Sequence, residues 1–312
     1  MNKEFYAEKI NRLKKEKNAV ILAHNYQIPE IQDIADYVGD SLGLSQEAAR
    51  TDADIIVFCG VHFMAETASI IAPNKKVLIP DPEAGCSLAE SITGDQLREW
   101  KKEYPGAVVV SYVNTTADVK AETDYCCTSG NAVKVIEQIP ADKKILFLPD
   151  KFLGSYIKAV TGRENIEIWN GACHVHEKIG EYNLNQAQEK YPNADLLIHP
   201  ECGCSTACML KSEMYDCNAK IVSTEGMINY INESPASEFV VATETGILHR
   251  MKKAQSEKEF YPVSEESVCE YMKMIDLEKL YRSLNEEVFE VKVPEELANK
   301  ARKSIERMLK IV

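Results

Sequence analysis

The sequence predicts an α/β protein of three pseudo-symmetric, three-layer α/β/α domains, with parallel sheets arranged around a central active site. Two observations carry this expectation: apolar runs alternate with helical stretches, and landmarks within them recur at a fixed spacing. The runs AVILAH, DIIVFCG, KVLIPD, AVVVSY, KILFLPD, IEIWNG, DLLIHP, KIVST and EFVVATE read as buried strands. Most end in a polar or small-residue loop that leads into a helical pattern, as in βαβ units with parallel sheets.

The landmarks fall into register. The first strand of each third ends in a polar tripeptide: His24-Asn25-Tyr26, Tyr112-Val113-Asn114 and His199-Pro200-Glu201. Their first residues are 88 and 87 positions apart. A hydroxyl residue then precedes a helix, at Ser41, Ser129 and Thr224. A cysteine follows the last strand, at Cys86, Cys173 and Cys269, and lies 45, 44 and 45 residues beyond the hydroxyl. Any α/β chain spaces its strands similarly, but three landmarks agreeing within one residue mark a repeated unit. The units are 1–90 together with the C-terminal segment 270–312, then 91–177, then 178–269. Both the N-terminal helix and the segment after Cys269 are expected to pack on the first. The tripeptide-to-hydroxyl distance is 17 residues in the first two thirds and 25 in the last. The extra eight lie inside ECGCSTACMLKSEMYDC, which reads as an insertion.

Composition narrows the class. A chain of 312 residues has room for two or three small domains, and 45% hydrophobic with 27% charged residues is ordinary for a globular protein. A net charge of −13 argues against nucleic acid and anionic membrane as partners, because both are repelled at long range. No stretch approaches a membrane span. The opening MNKEFYAEKINRLKKEKNAV reads as a charged amphipathic helix without a secretory apolar region, so a cytoplasmic location is expected. Ten cysteines in such a setting point to metal or redox chemistry rather than disulfides.

Ligands of open parallel units bind beyond the carboxyl ends of the strands, where all three landmarks sit. Three units facing one axis would bring one thiolate each to a common centre. Three thiolates suit a 4Fe–4S cluster with one iron left without a protein ligand, able to act as a Lewis acid. A Cys₃ zinc site is the alternative, with His174 or His176 as fourth ligand. Cys59, Cys126 and Cys127 read as small buried apolar residues. Cys202, Cys204 and Cys208 form a dense local group that fits neither zinc pairs nor ferredoxin runs; a peripheral or redox role, or none, is expected for it, with a second metal site as the alternative. Ser41, Ser129 and Thr224 read as N-caps whose helix termini could also hold carboxylate or phosphate. His24, His176, His199 and Glu201 are the acid–base candidates; Tyr26, Tyr112 and Asn114 could hydrogen-bond a ligand or simply end a strand.

The stretches AHNYQIPEIQDIADYVGDSLGLS, PDPEAGCSLA, SYVNTTADVKAETDYCCTSGNA, LFLPDKFLGSYI, NGACHVHE, HPEC, VSTEGM, TETGILHRM and VCEYMKM resemble the quinolinate synthase family across nearly the whole chain. The resemblance implies three pseudo-symmetric α/β domains around one 4Fe–4S cluster. It implies condensation of iminoaspartate with dihydroxyacetone phosphate to quinolinate, phosphate and water in de novo NAD biosynthesis, with a functional link to an iminoaspartate-producing enzyme. By the same resemblance Cys86, Cys173 and Cys269 are the cluster ligands. The substrate-binding positions are His24, Ser41, Tyr112, Val113, Asn114, Ser129, His199, Pro200, Glu201 and Thr224. Glu201 is the proton-transfer residue, assisted by Tyr26, His199 and His176. The insertion departs from shorter members of the family, and a three-cysteine motif found late in some members is reduced here to Cys269.

Overall fold

The computed structural model describes residues 3–205, 208, 209 and 219–311. It contains three four-stranded, all-parallel sheets flanked by helices. The first sheet is formed by β1 (Ala19–His24), β2 (Tyr37–Gly39), β3 (Ile55–Cys59) and β4 (Lys76–Leu78), in the order β2-β1-β3-β4. The second comprises β5 (Val108–Tyr112), β6 (Tyr125–Cys127), β7 (Ile145–Leu148) and β8 (Ile166–Ile168), ordered β6-β5-β7-β8. The third comprises β9 (Asp195–Ile198), β10 (Ala219–Ile221), β11 (Glu238–Ala242) and β12 (Glu259–Pro262), ordered β10-β9-β11-β12. One topology is thus used three times. The expectation of three-layer parallel units is met.

Side-chain alternation explains how the sheets share an interior. Successive residues of a strand face opposite sides. Leu22 of β1, Val110 of β5, Phe147 of β7, Leu197 of β9 and Val241 of β11 belong to one continuous apolar core common to all three sheets. Their neighbours point the other way, under each unit's own cover. Ile21 and Ala23 meet Ile10 and Leu13 of the N-terminal helix Lys3–Glu16 and Leu280 of the helix Leu277–Glu286. Val109 and Leu146 lie with Leu97. Leu196 and Ile198 lie with Leu184, Cys202, Cys204 and Cys208. Strands buried on both faces read as continuous apolar runs, which is why the central pair of each sheet is visible in the sequence.

The packing of the C-terminal segment differs from expectation. The helix Leu277–Glu286 lies against the N-terminal helix and β3, on the first unit. The last helix, Glu295–Lys310, instead packs on the short helix Ala117–Ala121 and on β6, with a further contact to the helix His62–Ile71. Ser304 Oγ donates to the Lys120 carbonyl (3.0 Å), Asn131 Nδ2 donates to the Ile311 carbonyl (2.7 Å) and Arg302 Nε donates to the Ile70 carbonyl (2.9 Å). Its apolar stripe of Ala301, Ile305 and Met308 covers a seam between the first and second units rather than the first alone. The insertion noted in the third unit falls largely outside the described residues.

Ile305 is fully buried in this seam. Ile305→Ala is expected to lower unfolding stability by about 2–5 kcal/mol, the range for truncating a buried aliphatic side chain. Urea denaturation measures it, and an unchanged midpoint would show that the last helix is peripheral.

Candidate active site at the junction of the three sheets

The carboxyl ends of β1, β5 and β9 open onto one cavity, where ligands of parallel α/β units bind. His24 and Tyr26 line it from the first unit, Tyr112 and Asn114 from the second, His199 and Glu201 from the third. Ser41, Ser129, Thr224, His176, Cys86, Cys173 and Cys269 line it as well. Val113 and Pro200 are buried but do not line it. They are the middle residues of their tripeptides, and alternation turns a middle side chain away from its two neighbours.

The three hydroxyl residues are not N-caps, contrary to the sequence reading. Asp40 and Ser223 cap the helices that follow them, accepting from Gly43 N (2.8 Å) and Gly226 N (3.2 Å). In the second unit the N-cap position falls to Asn131, whose side chain makes no capping bond to that helix. Ser41 and Thr224 are therefore the first residues inside their helices, and Ser129 precedes its helix by three. Their hydroxyls are spared from capping and face the cavity. Ser129 Oγ lies 3.1 Å from His199 Nε2.

Acid and base groups cluster around Glu201, which is 3% exposed. Tyr112 donates to its Oε2 (3.1 Å). His199 Nδ1 lies 3.1 Å and His176 Nδ1 4.0 Å from the same oxygen. Neither histidine contact is aligned as a hydrogen bond, and Glu201 Oε1 has no partner among the described residues. Burial pushes the Glu201 carboxyl up; the two imidazoles and the Tyr112 hydroxyl more than offset this and leave it below the usual carboxylate range. Burial pushes His24 down to about 3 and His176 down to about 4, so both rings are neutral near pH 7. Burial raises Tyr26 and Tyr112 well above the usual phenol, which leaves both as neutral donors. Tyr26 Oη reaches Thr243 Oγ1 (2.5 Å), and Thr243 in turn meets His176 Nε2 (2.9 Å). Two histidines and a carboxylate within 4.8 Å of one another could also hold a metal ion.

The three repeated cysteines occupy equivalent local structures. Each lies three residues before a short 3₁₀ turn, at Ala89–Ser91, His176–Lys178 and Met272–Met274. The backbone N–H groups of the second and third following residues act on each sulfur: Leu88 and Ala89 on Cys86, Val175 and His176 on Cys173, Tyr271 and Met272 on Cys269. Burial still dominates and pushes Cys86 up to about 12 and Cys269 up to about 11. Three half-buried sulfurs with backbone donors beside them suit a bound cation, which would hold them as thiolates. Cys202, Cys204 and Cys208 lie elsewhere, in the apolar layer outside the third sheet, and Cys202 Sγ meets the Ala242 carbonyl (3.2 Å). Cys59, Cys126 and Cys127 are fully buried.

Several lining residues escape the sequence reading. Glu244 is fully buried, pairs with Lys273 (2.8 Å) and accepts from the Cys269 N–H (3.2 Å). Burial raises its carboxyl, and Lys273 opposes that. Thr243 and Glu244 follow β11 as the tripeptides follow the first strands, so the strand-end rule finds them when applied to the second central strand as well. Asp40 and Thr128 stand beside the flagged hydroxyls.

Fold and site define a three-unit α/β enzyme with one thiol-lined cavity at its centre. Residues 8–310 match the family model of the Quinolinate synthetase A protein, NadA, and the chain belongs to that family. It is 58% identical over 301 residues to the quinolinate synthase of Pyrobaculum aerophilum, covering 96% of this chain and 98% of that one. Identity to a quinolinate synthase of Thermus thermophilus is 54% over 312 residues, 100% of this chain and 99% of the other. For a Mycobacterium tuberculosis quinolinate synthase it is 51% over 311 residues, 99% of this chain and 89% of the other.

The buried histidines give a pH dependence of definite sign. His24 is neutral in the fold to about pH 3, whereas an unfolded histidine ionises near 6.5. A depressed folded value gives stability that is present above about pH 6.5 and lost as pH falls. Between pH 7 and 5 this amounts to about 2 kcal/mol for one such group. In matched cluster-free samples, His24→Asn should reduce the acid loss of unfolding stability by about that amount. An identical loss in both proteins would show that His24 is protonated in the fold.

Proposed function

We propose that this chain condenses iminoaspartate with dihydroxyacetone phosphate to give quinolinate, phosphate and water in NAD biosynthesis, with a 4Fe–4S cluster held by Cys86, Cys173 and Cys269. The observation that carries this is the placement of one cysteine from each of three equivalent units on a single cavity. A cofactor ligated once by each unit accounts for the repeat ending three times in a thiol followed by a 3₁₀ turn. Of the two histidines that could complete a zinc site, His174 has both ring nitrogens engaged, by Ser87 (2.7 Å) and Glu270 (2.9 Å), whereas His176 meets Thr243 with Nε2 (2.9 Å) and faces Glu201 with Nδ1 (4.0 Å). The cluster supplies Lewis acidity toward a substrate hydroxyl or carboxylate through an iron without a protein ligand.

The residues divide the remaining work. Both substrates are anions, and the cavity meets them with neutral donors: the hydroxyls of Ser41, Ser129 and Thr224 and the N–H groups of the helix starts beside them. Asn114 adds an amide whose NH₂ can donate to an anion, while its Oδ1, without a partner among the described residues, can accept from a substrate N–H or O–H. Glu201, ionised and with one oxygen unpartnered, accepts a proton from substrate carbon or nitrogen. His199 meets the Ser129 hydroxyl at Nε2 (3.1 Å) and lies with Nδ1 3.1 Å from Glu201, a position from which it orients the carboxylate and exchanges protons with its neighbours. Tyr26, Thr243 and His176 form a second line of exchangeable protons suited to protonating a departing hydroxyl. The wall of Val61, Phe63 and Met64 keeps bulk water from the imine. The reading brings with it a cytoplasmic location and a separate enzyme that delivers iminoaspartate. Among the described residues no helix is long and apolar enough to cross a membrane.

Anaerobic protein given iminoaspartate and dihydroxyacetone phosphate is expected to form quinolinate and release phosphate in equal amounts. Phosphate release without quinolinate would assign the site to another reaction. Glu201→Gln should retain the cluster absorbance and lose about 10²-fold or more in turnover, the usual scale for a positioned acid or base. Cys86→Ala, Cys173→Ala and Cys269→Ala should each lose the visible absorbance after anaerobic reconstitution. Cys202→Ala, Cys204→Ala and Cys208→Ala should keep most of it. Bleaching by Cys204→Ala but not by Cys86→Ala would move the metal to the outer cysteine group.

A further inference from the structure

Asn25 is the one middle tripeptide residue with a polar side chain, and it is fully buried outside the cavity lining. Its amide sits between two groups of the third unit. Arg250, on the helix Ile247–Ala254, donates from Nη1 to Asn25 Oδ1 (2.8 Å). Asn25 Nδ2 donates to Thr224 Oγ1 (2.9 Å). Arg250 is itself held by two bonds to the Glu225 carboxylate, at 2.7 and 3.0 Å.

The chemistry of these groups leaves one arrangement. A guanidinium only donates, so the amide atom that meets Arg250 must be the oxygen. The NH₂ group is then forced toward Thr224, and the threonine oxygen must accept. A hydroxyl has one proton and two lone pairs, and here one lone pair is taken from behind, which leaves the proton free for a partner on another side. Thr224 is the first residue of its helix, so it has no helical carbonyl one turn back to receive that proton. The proton is left pointing toward the cavity that Thr224 lines.

We infer that Arg250 and Asn25 are positioning residues which keep the Thr224 proton off the protein and turned to the cavity as a donor, so that this corner favours an anionic ligand oxygen. The inference rests on the reading of the cavity as a site for carboxylate- and phosphate-bearing ligands, and adds two residues to it. The other two hydroxyls are set differently: Ser129 is shared with His199, and Ser41 follows the capping Asp40. Arg250 therefore contributes to anion binding without entering the cavity, by setting the polarity of a neutral donor across the boundary between the first and third units.

The test is quinolinate binding to the anaerobic, cluster-loaded protein, measured by calorimetry. Thr224→Val, which keeps shape and removes the hydroxyl, should weaken binding about 10- to 100-fold, the worth of a hydrogen bond to a charged group. In Asn25→Asp the side chain can only accept, so Thr224 turns to donate to it, and binding should weaken over a similar range. The decisive quantity is the coupling. Asn25→Asp should cost several-fold less in the Thr224→Val background than alone, because the hydroxyl it misdirects is already gone. Repulsion by the new carboxylate, or a loosened interface, would cost the same in both backgrounds, and that result overturns the inference. Should Asn25→Asp fail to fold, Arg250→Met frees the amide to rotate. It should weaken binding by a factor that again shrinks in the Thr224→Val background, and Arg250→Lys, which still donates to Oδ1, should restore much of the loss. Full affinity in Arg250→Met overturns the inference too. Absence of quinolinate binding by the unaltered protein instead overturns the functional reading beneath it.

Discussion

The shared apolar face of the three sheets is the constraint from which the rest of the molecule follows. Each sheet sends alternate side chains, such as Leu22, Val110 and Leu197, into one common core. Parallel strands place all their carboxyl ends at one edge of a sheet. When three such sheets share a core, three sets of strand ends meet, and the loops that follow them must carry polar groups into a place with little water. Those groups are costly to bury unless they satisfy each other. Tyr112 on Glu201, Asn25 on Thr224 and Ser129 on His199 are bonds of this kind, and each joins residues from two units. The polar centre thus ties together what the apolar core brings close.

The same crowding sets the electrostatics. Near pH 7 the histidines His24 and His176 are neutral because burial opposes their charge, while Glu201 stays ionised because its donors outweigh burial. A neutral imidazole beside a carboxylate can both give and receive a proton, whereas an imidazolium would lock the carboxylate in a pair. Glu244 lies in the same cavity with Lys273 beside it and the Cys269 N–H on its Oε1. Two buried carboxylates of one site are therefore given different partners, and the proposed base is the one not held by a lysine.

The central strands are the most legible in the sequence, and of the edge strands, β4, β8 and β10 are also readable, in KVLIPD, IEIWNG and KIVST. The strands β1, β3, β5, β7, β9 and β11 are covered on both faces and stand out as apolar runs. The edge strands β2, β6 and β12 are three or four residues long, and YVG, YCC and EFYP carry no such run. The repeat made the cavity readable, because Ser41, Cys86 and their counterparts recur whatever the loops between them do. A one-residue error was built into the cap assignment: Asp40-Ser41 and Ser223-Thr224 are pairs of good capping residues, and composition cannot say which of two neighbours turns its oxygen to the helix. The last helix shows the other limit. Its stripe of Ala301, Ile305 and Met308 announces a buried face, but nothing in a stripe names the surface it covers.

That shift of one residue has a functional consequence. Had Ser41 and Thr224 been the caps, their oxygens would have been spent on the backbone of their own helices. With Asp40 and Ser223 in that role, one N–H of each helix start is satisfied by its cap and each following hydroxyl is available to a ligand. A protein of net charge −13 that is to hold anions faces long-range repulsion, and a cluster of lysines at the site would oppose it only at the expense of quenching the carboxylates beside them. Hydroxyls and amides avoid that conflict. They bind an anion by short-range donation that vanishes beyond contact, and so leave the Glu201 charge intact a few ångströms away. Placing the one nearby guanidinium, Arg250, behind Asn25 follows the same logic: its charge is spent on Glu225, and only its directionality reaches the cavity.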